Sequence, residues 1–145
     1  MTNFKNELIH KFSLTPTPFF YYDLELLDKT LESLKSAAGK YNYQVHYALK
    51  ANANPSILEQ IRKYGFGADC VSGNEVSRAA ETGFPGDKIV FAGVGKSDEE
   101  IKTGLEHNIH SFNCESAQEL EVIDQIAGSM QKIAPVALRL NPNVS

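Results

Sequence analysis

Val45-His46-Tyr47-Ala48-Leu49-Lys50-Ala51-Asn52 is a short hydrophobic run that ends in a polar turn carrying a lysine. A run of this length, rich in apolar residues, is typical of a buried strand. Pro55 follows it, and proline in a first helical turn is a helix start signal. The stretch therefore predicts a strand that leads directly into a helix, the unit from which parallel sheets are built.

The same order of strand and helix repeats along the chain. The predicted strands cover residues 43–49, 67–71, 88–92, 110–113 and 136–140, and the predicted helices cover residues 55–64, 74–82, 98–107 and 116–127. Ser116 with Glu119 forms a further start signal, while Gly65, Gly83 and Gly128 are stop signals. This alternation indicates parallel βα units, repeated in structure rather than in residues.

The N-terminal residues do not follow this pattern. Residues 1–22 are interpreted as an arm, in which Pro16 and Pro18 exclude a helix and the aromatic run 19–22 has strand character. Asp23 is the predicted cap of a first helix that ends at Gly39. The predicted domains are therefore 1–22, an arm, and 23–145, a barrel-type α/β region.

Composition limits the classes of function. The chain has 145 residues and a net charge of −4, with Lys and Arg scattered, which argues against nucleic-acid binding. No apolar run reaches membrane-spanning length and no secretory signal is visible, so a soluble cytoplasmic protein is expected. The two cysteines, Cys70 and Cys114, have no metal or redox spacing and are expected to be buried and reduced.

Polar or small residues follow each predicted strand, whereas the opposite loops are plain turns. That asymmetry is typical of a (β/α)8 barrel, whose active site lies at the carboxyl ends of the strands. Such a barrel takes about 250 residues. The roughly five strand–helix units predicted for this chain would therefore form either part of a barrel or a doubly wound open sheet.

Three side chains suggest chemistry at those strand ends. The amine of Lys50 is a natural carbonyl-capturing group, although lysines also end strands simply to reach solvent. Asp69 lies within an apolar run, where an unpaired carboxylate is costly; it either faces a barrel interior and holds Lys50 or a second charged group, or caps the following turn. Arg139 alternates with two leucines and either faces a barrel interior, where it needs an anionic partner, or reaches solvent between helices. His46 alternates in step with Lys50 and so could line the same interior. The better interpretation is a core histidine whose hydrogen bonds are satisfied by the protein.

Five segments in register resemble the fold-type III pyridoxal 5'-phosphate (PLP) decarboxylases, most closely the diaminopimelate decarboxylases. The segments are Tyr47 to Asn52, Gly67 to Glu75, Ile89 to Ser97, Asn113 to Leu120 and Leu138 to Pro142. The resemblance implies a PLP-binding barrel followed by a β-domain that the arm would join, with active sites shared across a homodimer.

The resemblance also implies roles for individual residues. Lys50 would be the catalytic lysine that binds the cofactor covalently, with Asp69, Glu75 and Arg139 around the cofactor. For Glu75 a second explanation remains open, because a glutamate in a first helical turn is already favoured by the helix dipole. No metal is implied, and Gly93-Val94-Gly95-Lys96 lacks the spacing of a phosphate-binding loop.

Three functions remain open at this point. One is decarboxylation of meso-diaminopimelate to L-lysine and carbon dioxide; another is a sister decarboxylase of ornithine, arginine or carboxynorspermidine. The third is a PLP-binding barrel without turnover. The family's ring-stacking histidine, phosphate loop and substrate loop are expected after Pro142, so the 145 residues alone are expected to bind PLP poorly and to be inactive.

Overall fold

A five-stranded parallel sheet forms the centre of the computed structural model, which describes residues 6–140 and 142. The strands are β1 (His46–Ala48), β2 (Gly67–Cys70), β3 (Ile89–Phe91), β4 (Ser111–Cys114) and β5 (Val136–Leu138), and their order in the sheet is their order in the chain. Crossovers between parallel strands are right-handed, so an order that never reverses places the connecting helices on one face. A doubly wound sheet would reverse its order, so the barrel-type fold is confirmed over the described strands.

Six helices are described. They are α1 (Asn6–Ser13), α2 (Leu24–Gly39), α3 (Pro55–Lys63), α4 (Gly73–Glu81), α5 (Asp98–Glu106) and α6 (Ala117–Ser129). Asp23 caps α2 by accepting a hydrogen bond from the Leu26 amide at 3.0 Å, as predicted. Within these ranges every helix falls short of the length or the apolar character needed to cross a bilayer.

The arm differs from its prediction. It contains α1, which ends before the prolines, and residues 19–22 pair with no described strand. Two of their rings pack on α1 instead, with the Phe12 ring centroid 5.5 Å from Phe19 and 5.0 Å from Tyr21. Residues 19–22 form no strand within the described residues, because aromatic residues suit a sheet only where a neighbouring backbone completes the hydrogen bonds. That residues 1–22 are an arm and strand belonging with a β-domain stays a prediction.

Two element bounds also need correction. The first strand begins at His46 because Asn42, at φ 55°, turns the chain and stacks Tyr41 on Tyr43 with centroids 5.6 Å apart. Gly128 does not end its helix, since α6 continues to Ser129 and the left-handed residue is Gln131 at φ 56°. A glycine is tolerated in the last turn of a helix when a later residue adopts the left-handed backbone conformation that ends the helix.

The main core lies between the sheet and the helices. Its fully buried side chains include Phe91 and Phe112 from the sheet and Leu58, Ile101 and Ile123 from the helices. Cys70 and Cys114 are buried and unpaired, as predicted, with β3 between their strands. Burial raises the pKa of the Cys70 thiol to about 12, so this thiol is protonated and unreactive at neutral pH.

Gly104 of α5 allows the helix to approach the sheet. A Cβ atom on Gly104 would stand 2.6 Å from Cζ of Phe112, a ring with no exposed surface and no space to move. Gly104→Ala is therefore expected to lower the free energy of unfolding by about 1–3 kcal/mol, although alanine favours a helix by about 1 kcal/mol.

Gly128→Ala in α6 is the matched control, because nothing lies within 4 Å of its Cβ position. This variant is expected to unfold at the same or a higher urea concentration than the parent. Equal urea midpoints for Gly104→Ala and the parent would contradict the close packing of α5 on Phe112.

Candidate functional site

The sheet has two chemically different faces. The face under the helices is apolar and buried, as Ala68, Cys70 and Phe91 show. Side chains alternate along each strand, so the residues between these lie on the opposite face, here called the inner face. The inner face consists of His46, Ala48, Gly67, Asp69, Val90, Ser111, Asn113 and Ala137, which the strand register aligns. Its side chains are mostly small or polar, which leaves room for a ligand.

Lys50 lies in a short 3-10 helix, Leu49–Ala51, directly after β1, and so follows the strand rather than closing it. Leu49 is 1% exposed and anchors this turn in the core. The Tyr47 hydroxyl donates to the carbonyl oxygen of Asn52 at 3.3 Å, and Asn52 Oδ1 accepts from the Asn54 amide at 2.9 Å. The backbone that carries the exposed Lys50 is therefore well fixed.

Lys50 and Asp69 stand on adjacent strands at the same end of the sheet. Asp69 is aligned with Ala48, two residues before the lysine, and lies on the inner face. Among the residues described, neither side chain makes a hydrogen bond or an ion pair, so the expected pairing of Asp69 with Lys50 is not seen. Both groups are thus available to a ligand.

The alternative role for Asp69, as a cap of the following turn, is wrong. Ser72 Oγ accepts from the Glu75 amide at 3.3 Å, and Glu75 Oε2 accepts from the Val71 amide at 2.8 Å. These two side chains accept the hydrogen bonds of the backbone amides in the turn. Asp69 therefore does not cap it and lies on the inner face. Glu75 is therefore explained by its local bonds, and contact with a cofactor through its other oxygen stays a prediction.

The turn after β4 repeats this arrangement. Asp69-Cys70-Val71-Ser72-Gly73-Asn74-Glu75 and Asn113-Cys114-Glu115-Ser116-Ala117-Gln118-Glu119 share Cys, Ser and Glu at equivalent positions. Glu119 Oε2 accepts from the Glu115 amide at 2.7 Å, just as Glu75 binds Val71. The two turns thus have the same solution to the same capping problem.

Arg139 follows β5, on the parity of the inner-face residue Ala137. Its Nη1 donates to Glu115 Oε1 at 3.0 Å, and the arginine side chain is 59% exposed. In the described structure the anion bound to Arg139 is Glu115, and contact of Arg139 with an anionic group of the cofactor or substrate stays a prediction. The pair borders a cavity of about 350 Å³ lined by Ala92, Asn113, Glu115, Ala137, Leu138 and Arg139. Asn141, also predicted at this strand end, lies outside the described residues.

Lys96 has an importance that its sequence motif did not indicate. Its side chain is 1% exposed, and Nζ donates to the carbonyl oxygens of Gly93 at 2.8 Å and Asn113 at 3.0 Å. The third bond is an ion pair with Glu119 Oε1 at 2.6 Å, and the ammonium also lies 5.3 Å from the Phe91 ring centroid. The Ser116/Glu119 cap is the sequence signal that could have indicated this ion pair. One oxygen of the Glu119 carboxylate binds the backbone of its own turn, and the second oxygen remains for a cation.

Glu100 joins two neighbouring turns. Its Oε1 accepts from the Gly73 amide at 2.9 Å and its Oε2 from the Ser97 amide at 3.0 Å. These backbone hydrogen bonds lower the pKa of the Glu100 carboxyl group. Gly73 is required for this approach, because a Cβ atom there would stand 2.7 Å from Glu100 Cγ.

His46 is not the core histidine that was expected. It lies half-buried on the inner face, where the glycine at position 67 makes room for its ring. Its ring centroid is 6.4 Å from that of His110, and burial followed by the charge of His110 lowers the pKa of His46. It stands at the amino end of β1, away from Lys50, and in the described part of the chain no cluster of three metal-ligating side chains includes it.

Comparison with known proteins gives a family. The model of the pyridoxal-dependent decarboxylase, pyridoxal binding domain, matches residues 24–145. The chain is 56% identical over 137 residues to diaminopimelate decarboxylase of Bacteroides thetaiotaomicron, covering 94% of this chain and 36% of that protein. It is 43% identical over 133 residues to the Helicobacter pylori enzyme of the same name, covering 92% and 33%. The chain thus spans about a third of the length of these curated relatives.

Solved structures agree with the fold. Diaminopimelate decarboxylase from Helicobacter pylori, complexed with L-lysine, matches with a TM-score of 0.86 at 40% identity, over 94% of this chain and 35% of that one. Lysine/ornithine decarboxylase from Vibrio vulnificus matches with a TM-score of 0.78 at 24% identity, over 94% and 37%, and supports the fold alone. The parallel sheet, the lysine after β1 and the match over residues 24–145 lead to one conclusion. This chain belongs to the pyridoxal-dependent decarboxylases, in the region of their pyridoxal-binding domain.

Proposed function

We propose that the protein containing this chain is a PLP-dependent enzyme that decarboxylates meso-diaminopimelate to L-lysine and carbon dioxide. The observation that carries the proposal is the amine of Lys50, held on a fixed turn at the carboxyl end of β1 and engaged by no described side chain. Relatives at 56% and 43% identity named diaminopimelate decarboxylase support the choice of substrate.

The residues present fit the aldehyde end of PLP. A primary amine captures an aldehyde, and the small inner-face residues Ala48 and Ala137 leave space in front of it. When bound, the cofactor supplies an electron sink, which accepts the electron pair of the carbon–carbon bond that breaks as the carboxylate leaves. Among the described residues, the groups available at this end of the sheet include the amine of Lys50, the carboxylate of Asp69 and the guanidinium of Arg139.

Each residue has a distinct part in the proposal. Lys50 attaches the cofactor covalently, for which its amine must be neutral. Asp69, which makes no hydrogen bond or ion pair among the described residues, offers a carboxylate to a positively charged group of the cofactor or substrate. Arg139, oriented by Glu115, offers its remaining N–H groups to an anionic one. Glu75 contributes through its second oxygen, the first being bound to Val71.

The same proposal includes a homodimer and a cytoplasmic location. The resemblance to the family supports the dimer. The two buried, unpaired thiols of Cys70 and Cys114 fit a reducing compartment.

The decisive assay measures carbon dioxide release from carboxyl-labelled substrates by the intact protein that contains these 145 residues, supplied with PLP. Diaminopimelate is expected to react at least about tenfold faster than ornithine or arginine, since a site built for one polar substrate leaves buried groups unpaired with another. Faster release from ornithine or arginine would instead assign a sister decarboxylase. PLP binding without release from any of them would indicate a barrel that binds the cofactor without turnover. The 145 residues assayed alone are expected to give background only.

A further inference from the structure

We propose that Lys96 is a positioning residue, which sets the place of Arg139 at the active site through Glu119 and Glu115. This inference rests on the proposed function, because it assumes that the strand ends form the site. It concerns a buried ammonium group that touches neither Lys50 nor Asp69.

The contacts form a continuous path of three steps. Lys96 Nζ binds Glu119 Oε1 at 2.6 Å, and the other oxygen of that carboxylate accepts from the Glu115 amide at 2.7 Å. The Glu115 side chain then accepts from Arg139 Nη1 at 3.0 Å. The path begins at a side chain that is 1% exposed and ends at one that is 59% exposed, so it leads from the interior to the ligand-accessible surface.

The turn after β2 shows what Lys96 adds. There Glu75 holds the Val71 amide at 2.8 Å, the counterpart of the Glu119 bond, and no lysine of the described residues binds that carboxylate. A glutamate therefore suffices to hold such a turn. The ammonium of Lys96 has a different effect. It binds the carbonyl oxygens of Gly93 and Asn113 and so clamps the end of β3 to the end of β4.

All three protons of the Lys96 ammonium are used in this clamp, which leaves the group with one geometry. Loss of the ammonium would remove the clamp on Gly93 and Asn113 and leave Glu119 without its counter-charge, so the Glu115 backbone, which lies two residues after Asn113, would lose its fixed position. Since Glu115 holds Arg139, the guanidinium would lose its fixed orientation. A misplacement of about 1 Å can cost about 100-fold in rate, so a remote lysine can affect catalysis strongly.

The first test is a kinetic double-mutant cycle on the intact PLP-loaded protein, under conditions where circular dichroism shows every variant folded. Lys96→Met is expected to lower kcat/KM about 10- to 100-fold in the parent, but less than about threefold when Arg139→Gln is already present. An equal loss in both backgrounds, no loss in the parent, or no effect of Arg139→Gln by itself would each overturn the proposal. Lys102→Met, which removes an exposed lysine, is the control expected to leave kcat/KM unchanged.

A companion variant separates positioning from general stability. Lys96→Met combined with Glu119→Gln removes both charges, while the glutamine carbonyl can still accept from the Glu115 amide. The double variant is expected to recover thermal stability but to keep the loss in kcat/KM, because the clamp on Gly93 and Asn113 is still missing. Recovery of kcat/KM together with stability would show that Lys96 acts only by stabilising the fold.

The second test needs neither cofactor nor turnover. Amide hydrogen exchange without PLP is expected to be about tenfold faster at Glu115 in Lys96→Met, while the equivalent amide of Val71 keeps its parent rate. Acceleration at both amides, or at neither, would refute the path. A parent that shows no PLP-dependent activity would defeat the proposed function, yet this exchange result would still decide the role of Lys96.

Discussion

Replacement of Lys50 by alanine is expected to abolish covalent attachment of PLP. The amine is the group on this turn that can bond to an aldehyde carbon, and alanine offers no nucleophile. The absorbance band that the bound cofactor gives near visible wavelengths should therefore vanish, and decarboxylation should fall by roughly three orders of magnitude or more. The measurement is the absorbance spectrum of the intact protein with added PLP, followed by carbon dioxide release.

The stability of this variant should not change. Lys50 is exposed and unpaired among the described residues, and such surface substitutions alter unfolding by no more than about 0.5 kcal/mol. Lys63→Ala, which removes another exposed lysine in the last turn of α3, is the matched control and should keep both the band and the activity. A band that survives in Lys50→Ala but is lost in another lysine variant would move the attachment site elsewhere.

The second large effect is expected on stability, from the buried ion pair of Lys96 and Glu119. Their side chains are 1% and 12% exposed, so Lys96→Met leaves a carboxylate in a poorly solvated place. Removal of one partner of a buried pair typically costs about 3–5 kcal/mol, whereas the pair itself can contribute much less. We expect a loss in that range for Lys96→Met, measured by urea unfolding, and a substantial recovery when Glu119→Gln is added.

An exposed pair of the same length provides the comparison. Lys102 Nζ and Glu99 Oε1 are also 2.6 Å apart, but their side chains are 42% and 82% exposed. Lys102→Met is expected to leave the urea midpoint close to that of the parent, since water screens such pairs on a helix surface. If the two lysine variants were equally stable, burial of the Lys96 pair would not be the cause of its importance.

Local signals in the sequence predicted much of the fold correctly. Asp23, Ser72 and Ser116 cap helices because a short side-chain oxygen can reach amides within its own turn, a property that does not depend on the rest of the chain. Predictions that needed a distant partner did less well. Residues 19–22 have strand composition, but no described strand lies beside them, and Phe19 and Tyr21 pack on α1 instead.

In the candidate site, too, the positions of the residues followed from local signals, whereas their bonding partners did not. The place of Lys50 after a strand follows from the hydrophobic run before it, and the parity of Asp69 and Arg139 follows from the alternation of side chains. Their partners could not be derived in this manner. Arg139 finds Glu115 across 24 residues of chain, and Asp69, expected to hold Lys50, makes no such bond in the described structure.

The sequence by itself determined the alternation of strands and helices, the family and the lysine that is offered to a cofactor. These depend on short-range periodicity, on capping within one turn and on motifs that are contiguous in the chain. Only the tertiary structure decided that Lys96 is buried, that Glu119 and Glu115 link it to Arg139, and that the turns after β2 and β4 are built alike. The physical reason is that a buried ammonium must have all its protons bound, and the oxygens that bind them come from turns brought together only when the parallel strands align.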